Sequence, residues 1–193
     1  MANTSADGGY IIATSTTDSD IWELLHDMLQ GLTGFDSNLI RKMWQKNPPP
    51  SPENGIDWIA YGFSISEDED GGAYLEPTDE TESVLYKHEE LELSLQIYGD
   101  DCQLTAGIIK DGLQVKQNRE ALYLNKIVYI GASKTLHVPE QINNEFFNRC
   151  DLTLTFRRQI ERTYGIMNLV DAQGTIYPDR EEVGEIEFNT VIP

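Results

Sequence analysis

Cys102 stands where a helix is expected to begin, two residues after Asp100, and the dipole at a helix N-terminus can hold a thiol as thiolate. A thiolate needs a base or a resolving partner to do nucleophilic work. Nothing in the neighbouring sequence supplies one, so Cys102 reads as a small packed hydrophobe. His26, His88 and His137 are isolated from one another, and His88 falls on the polar parity of an alternating strand. No GxGxxG, GxxxxGK[ST], HExxH, CxxC or GxSxG pattern occurs, so phosphate cradles, zinc sites and the serine nucleophile elbow have no sequence support. Carboxylates crowd between Ser66 and Glu82, and carboxylates are what calcium prefers. They lack the ordered spacing of an EF-hand, and loose screening by cations fits them better than a site. No catalytic residue, cofactor or metal is assigned, and the chain is expected not to be an enzyme.

Arginine breaks the acidic pattern in one place. Arg157, Arg158 and Arg162 follow one another near the end of a long strand, with Arg149 ahead of them. Arg158 shares parity with Leu154, Phe156 and Ile160, so it interrupts a face that should be buried. Either the strand leaves the core there and its arginines are solvated, or it projects as an arm whose arginines meet acidic surface on a neighbouring subunit. Arg157, Arg158 and Arg162 are therefore the candidate intersubunit contacts.

The elements that must carry these residues alternate in period. Ile21, Leu24, Leu25, Met28, Leu29 and Leu32 recur at helical spacing behind Asp20, with Glu23 completing a capping box and Gly31 and Gly34 ending the helix. Leu39 to Gln45 suit a short strand before Pro48, Pro49, Pro50 and Pro52 impose a stiff connector. Ile56 to Ile65 is β-rich. It runs into Ser66 to Glu82, expected as a solvated loop or hairpin tip. Leu85, Leu91, Leu93, Leu95 and Ile97 alternate with polar residues as a half-buried strand does. After a turn at Gly99, Asp100 is the expected cap of a second helix running toward Gln117, with Leu104, Ile108, Ile109 and Leu113 as its apolar face. Strands are expected at Ile127 to Ile130, Asp151 to Tyr164 and Ile166 to Val170, with a bend or bulge at Gly165. The sum is an α+β fold, a mixed β-sheet flanked by helices. Its organisation is a flexible N-terminus over 1–17, one domain over 18–177 with the acidic loop 66–82, and an acidic, extended tail over 178–193.

Composition bounds what such a chain does. Its 193 residues suit one core, and 39% hydrophobic with 24% charged residues is ordinary for a globular protein. A net charge of −19 and only 14 Lys and Arg oppose specific binding to nucleic acid. Surface acid supplies solubility, or lines a surface that must repel DNA; the first is the commoner use. Two cysteines, no secretory-type start at Met1 to Tyr10 and no apolar run of about 20 residues predict a reducing cytoplasm and no membrane.

Three segments, in order, carry a family resemblance. They are Glu89 to Gly99 (EELELSLQIYG), Asp111 to Asn118 (DGLQVKQN) and Val138 to Gly165 (VPEQINNEFFNRCDLTLTFRRQIERTYG). A strand closes on Tyr98-Gly99, a helix carries Asp111-Gly112-Leu113 and Gln117-Asn118, and Pro139-Glu140 precede Arg149, Asp151 and the arginine-bearing strand. In this order the chain resembles the neck or tail terminator proteins of tailed bacteriophages, over roughly Ile56 to Val170. The resemblance implies a structural virion protein of the neck, assembled in the host cytoplasm. It implies a hexameric ring that caps the tail tube, ends tail growth and offers the tail to the head-completion complex. The implied partners are copies of itself, the tail tube protein, a head-completion or connector protein and, as a further candidate, the sheath protein. No catalytic residue comes with it. The competing reading is a monomeric acidic inhibitor that mimics nucleic acid, motivated by the −19 charge. Acid concentrated in one loop and one tail, and not spread along a face, counts against it. An unrecognised small-molecule enzyme rests on Cys102 alone.

Overall fold

The first helix begins where its cap is written. In the computed structural model of the chain, which describes residues 8–17, 20–67, 72–142 and 145–168, α1 spans Ile21–Thr33. The Asp20 carboxylate accepts hydrogen bonds from the backbone N–H of Trp22 at 3.0 Å and of Glu23 at 3.2 Å. Those donors have no partner inside the helix, so the cap contributes about 1 kcal/mol. Gly34 ends α1 in the left-handed conformation at φ 72°. Gly31, expected to share that task, lies within the helix.

The other helices are α2 (Cys102–Gly112) and α3 (Glu120–Leu124). The strands are β1 (Ser15–Thr17), β2 (Ile40–Lys42), β3 (Trp58–Glu67), β4 (Tyr74–Pro77), β5 (Ser83–Tyr98), β6 (Ile127–Ala132), β7 (Leu136–His137), β8 (Glu140–Ile142), β9 (Glu145–Phe147) and β10 (Arg149–Tyr164). The fold class is α+β with a mixed sheet, as the sequence periods require. The chain divides into two compact units, the larger over 18–72 and 88–160, the smaller over 1–17, 73–87 and 161–193.

In the larger unit the sheet order is β10-β5-β3-β2, with β6 and β7 also paired to β10. β2 and β3 are parallel; β3–β5, β6–β10 and β7–β10 are antiparallel. Alternate residues of three strands enter the core: Ile59 and Tyr61, then Leu91, Leu93, Leu95 and Ile97, then Cys150, Leu152, Leu154 and Phe156. They pack with Leu25, Met28 and Leu29 of α1 and with Cys102, Ala106 and Ile109 of α2. Each fully buried large aliphatic side chain there stabilises by about 1.5–3 kcal/mol. β8 and β9 form a separate hairpin.

α2 departs from expectation on its face and its ends. It buries Cys102, Thr105, Ala106 and Ile109, whereas Leu104 is 61% and Ile108 43% exposed. Ile109 and Leu113 of the expected face are buried, but the stripe is completed by Cys102, Thr105 and Ala106, whose hydrophobicity is too weak to announce them. Asp101, not Asp100, occupies the cap position and its side chain makes no capping bond. The helix stops at Gly112, and a 3-10 turn (Gln117–Arg119) leads into α3, which the sequence did not announce. Gly99, at φ 114°, makes the strand-to-helix turn; a Cβ there would sit 1.8 Å from Oδ1 of Asp57.

In the smaller unit β1 pairs with Glu161–Thr163 of β10, and β4 pairs with Ser83–Tyr86 of β5. The acidic loop 66–82 is therefore shorter than expected. Ser66 and Glu67 finish β3, and Tyr74–Pro77 pair because Tyr74 stacks on Tyr86, ring centres 5.0 Å apart. Ile166 to Asn168 do not form the expected strand. Asn168 is spent elsewhere: its side-chain amide donates to the carbonyls of Asp79 and Glu82, each at 2.7 Å. Residues 169–170 of the expected strand, the whole of the expected acidic tail 178–193, and residues 1–7 of the expected flexible N-terminus lie outside the described residues.

Candidate functional site

Two faces of the same sheet are chemically opposed. The core parity of β5 and β10 is apolar, while the other parity carries Glu90, Glu92, Ser94 and Gln96 on β5 and Arg149, Asp151, Thr153, Thr155 and Arg157 on β10, half-buried or exposed. An antiparallel sheet with one solvated face reads in this way.

At one end of the polar face four side chains from three strands lock together. Arg149 donates from Nη1 to Oε2 of Glu140 at 2.7 Å and from Nη2 to Oδ2 of Asp151 at 3.1 Å. The Tyr98 hydroxyl donates to the same Glu140 oxygen at 3.1 Å, and the Tyr98 ring stacks on Trp58 with centres 4.2 Å apart and planes 3° from parallel. Burial works against the charged guanidinium of Arg149, yet the bonds to Glu140, Tyr98 and Asp151 outweigh it and raise its pKa. Burial first, and then the Glu140 charge, raise the Tyr98 phenol as well. A guanidinium held this firmly is a fixed structural cation, with no proton to exchange.

The three arginines singled out by sequence are not brought together. Arg157 is exposed on the polar face, opposite Val128 of β6. Arg158 points the other way and is 8% exposed. It neither meets solvent nor leaves the core, because its Nε donates to Oε2 of Glu89 at 2.9 Å. Arg162, in the smaller unit, lies opposite Thr16 of β1. Adjacent strand positions face opposite sides, which separates Arg157 from Arg158.

Cys102 is buried as expected of a packed hydrophobe, but it has an unforeseen companion. Its Sγ lies 2.7 Å from Sγ of Cys150, and both thiols are free. Burial, with the hydrogen bond to Cys102 second, pushes the Cys150 thiol up to about 12, so it stays protonated at neutral pH. His26 is held locally, 3.1 Å from Oγ of Ser37 and 3.3 Å from Oδ1 of Asp27. Among the described residues no three His, Cys, Asp or Glu side chains gather to hold a metal, and no helix is long and apolar enough to cross a membrane.

The polar face is built of fixed ions and half-exposed polar groups on strands, which is the chemistry of a contact surface. A family model described as phage neck terminator protein matches residues 19–181. The chain belongs to that family. No curated protein matches it. The neck terminator family is a structural one, and its members are components of the virion neck. The match takes in α1, all three arginines, the Arg149 cluster and the thiol pair. Within this neck terminator the sequence had pointed to Tyr98, Glu140, Arg149 and Asp151 by order alone, without pairing them. It gave no sign of Glu89 or Cys150 as partners, because each pairs across a separation that no local pattern records.

Proposed function

We propose that this neck terminator assembles into a hexameric ring that caps the tail tube, ends tail growth and joins the tail to the head-completion complex. The observation that carries the reading is the family match across residues 19–181. The surface supports it. β6 lies at a sheet edge with Val128 and Ile130 46% and 57% exposed, and α2 presents Leu104 and Ile108. Apolar side chains beside unpaired backbone are what a neighbouring chain can cover. A single heterologous contact repeated around an axis closes a ring.

The partners are further copies of the chain, the tail tube protein and a head-completion or connector protein, with the sheath protein a further candidate. Assembly takes place in the host cytoplasm and the product sits at the top of the tail. Among the arginines, Arg157 is the proposed intersubunit contact, with Arg162 the second; Arg158 braces the subunit through Glu89. Addition of the ring to the last tube ring occupies the surface on which another would stack, and the opposite face receives the head side. Acid lining the passage gives DNA no basic wall to adhere to.

Electron microscopy of lysates from a phage with an early stop codon in this gene tests the proposal. Filled heads without tails are expected, beside tails of abnormal length or with unfinished upper ends. Joined particles at wild-type numbers would sink the reading and restore the acidic inhibitor as the better one.

A further inference from the structure

Cys102 and Cys150 are the only cysteines of the chain, and the fold brings them together from 48 residues apart. Both are buried, and their Sγ atoms lie 2.7 Å apart, which is about 0.7 Å more than the length of a disulfide bond. The backbones beside them are tied as well. Gly99 donates its N–H to the Asn148 carbonyl at 3.1 Å, and the Asn148 side-chain amide donates to Oδ1 of Asp100 at 3.1 Å. The two sulfurs therefore meet between segments that are already fixed to each other, the turn into α2 and the start of β10.

The pair lacks the neighbours that other thiol chemistry needs. Among the described residues no third His, Cys, Asp or Glu joins the two sulfurs, so a metal would be short of ligands. An activated nucleophile needs a cation or a base beside it, whereas each sulfur here has the other as its hydrogen-bond partner. Burial first, then the bond to Cys102 and the charges of Cys102 and Asp151, push the Cys150 thiol up to about 12, the reverse of activation. What two thiols in contact can do is give up two hydrogens for one bond.

We propose that Cys102 and Cys150 form an oxidation site, kept as thiols in a reducing cytoplasm and joined by a peroxide into a disulfide that staples α2 to β10. Cys102 reacts first. It lies in the first turn of α2, whose cap residue Asp101 makes no side-chain bond, so that end of the helix opens most easily. Its sulfur attacks one peroxide oxygen, the O–O bond breaks and the sulfenic acid of Cys102 forms, while the thiol proton and the departing hydroxide make water. The Cys150 sulfur then attacks the Cys102 sulfur; the S–S bond forms, the S–O bond breaks, and hydroxide leaves with the Cys150 proton as a second water. Two electrons pass from the sulfurs to the peroxide. Burial of both sulfurs makes the reaction slow.

Slowness suits a protein that is assembled first and released afterwards. Inside the host, reductants keep the pair open while subunits fold and join, and a particle that leaves the host leaves those reductants behind. This timing rests on the neck reading; the bond itself does not. The bond closes a loop that takes in α2, α3 and β6 to β9. Restricting a loop of that length in the unfolded chain favours the folded one.

The test uses the purified full chain, fully reduced and then held in hydrogen peroxide at neutral pH. Both thiols are expected to disappear together, the cysteine-bearing peptides to be recovered as one linked species lighter by two hydrogens, and the chain to stay single on a non-reducing gel. The thermal midpoint should rise by about 5 °C or more, a gain that reduction removes. Cys102→Ala, checked by circular dichroism, should show no such gain; should it misfold, the linked peptide of the unaltered chain decides alone. Cysteines that take up oxygen without linking, links between copies, or thiols that survive prolonged excess peroxide overturn the site, and a link without a higher midpoint overturns the staple. A second arm tests the timing, by alkylating thiols at the moment of lysis and again in released, purified particles, where thiols are expected first and the link later. A link already complete at lysis, or thiols that persist in the particles, overturn the timing even where the purified chain closes its bond. Absence of the chain from the particles overturns the neck reading and leaves the oxidation site standing on the purified chain.

Discussion

Arg158 and Glu89 form an ion pair inside the sheet, with Nε and Nη2 of the arginine each 2.9 Å from Oε2 of the glutamate and the two side chains only 10% and 11% exposed. Shielding makes such a pair expensive to break, since the survivor keeps a buried charge, while replacing both by apolar groups costs far less. Arg158→Met alone is expected to lose about 3–5 kcal/mol, and Arg158→Met with Glu89→Leu clearly less than the sum of the single losses. Urea unfolding of the purified chain measures both. Single losses below about 1 kcal/mol would show that solvent reaches the pair.

Alkaline pH acts on two other buried groups. The Cys150 thiol is pushed up to about 12 by burial and then by its bond to Cys102, and the Tyr61 phenol to about 12 by burial and then by the Asp20 and Asp27 charges. Both stay protonated in the folded chain while the unfolded chain releases their protons, from about pH 9 for the thiol and about pH 10 for the phenol. The unfolded state then binds fewer protons, so stability is intact below pH 9 and falls as pH rises toward 12. Thermal midpoints at fixed ionic strength should decline through that window, and Cys150→Ala should flatten the decline near pH 9 to 10. A flat profile in the unaltered chain would remove the burial argument for both groups.

Gly99 is expected to tolerate no side chain. Its φ of 114° already disfavours one, and the added Cβ would meet Oδ1 of Asp57 at 1.8 Å and its Cα at 2.8 Å. Backbone cannot retreat as a flexible side chain can. Gly99→Ala should lose about 1–3 kcal/mol from the conformation, with the clash in addition. Asp57→Gly in the same chain relieves the carboxylate overlap and should recover part of the loss; no recovery would place the cost in φ and in the approach to the backbone at position 57.

What could be read from sequence follows how locally each feature is encoded. Asp20, Glu23 and the leucines behind them announce α1, since cap and face lie within a few turns. The leucines of β5 announce their strand because alternation is its own register. On α2 the same logic misled: Leu104 and Ile108 outrank Thr105 and Ala106 in hydrophobicity, but sheet packing selected the smaller side chains. β4 was hidden because acid dominates its surroundings, and its pairing depends on Tyr86 across the hairpin. All four residues of the Arg149 cluster stood in the ordered motifs, while their meeting comes only through the fold, since Tyr98 and Glu140 reach Arg149 from other strands. Glu89 and Arg158 are 69 residues apart, and Cys102 and Cys150 are 48 apart. Parity marked Arg158 as anomalous, yet only the strand order β10-β5 supplies the carboxylate that resolves the anomaly.

Within the smaller unit, Asn168 is expected to hold the turn that precedes β5. Its side-chain amide donates to the Asp79 and Glu82 carbonyls at 2.7 Å, its carbonyl accepts from the Ser83 hydroxyl at 2.9 Å, and its backbone N–H donates to the Glu80 carbonyl at 2.9 Å. Ser83 is fully buried. Asn168→Ala would remove the side-chain bonds together and strand that hydroxyl, at a cost of about 1–3 kcal/mol for the unsatisfied group. Ser83→Ala in the same chain takes the stranded hydroxyl away, so the double variant should lose less than the sum of the two single losses. The same turn is pinned from inside, where the Asp79 carboxylate accepts from the Thr81 N–H, the Thr81 hydroxyl and the Glu82 N–H, and these bonds hold its pKa below the usual carboxylate value. A depressed carboxylate supports the fold above its unfolded pKa, and that support is lost as pH falls through the folded one. Amide exchange should therefore quicken over residues 78–83 in Asn168→Ala at neutral pH, and in the unaltered chain below about pH 4. Exchange over those residues that ignored both changes would mean that the turn is held by β4 pairing alone.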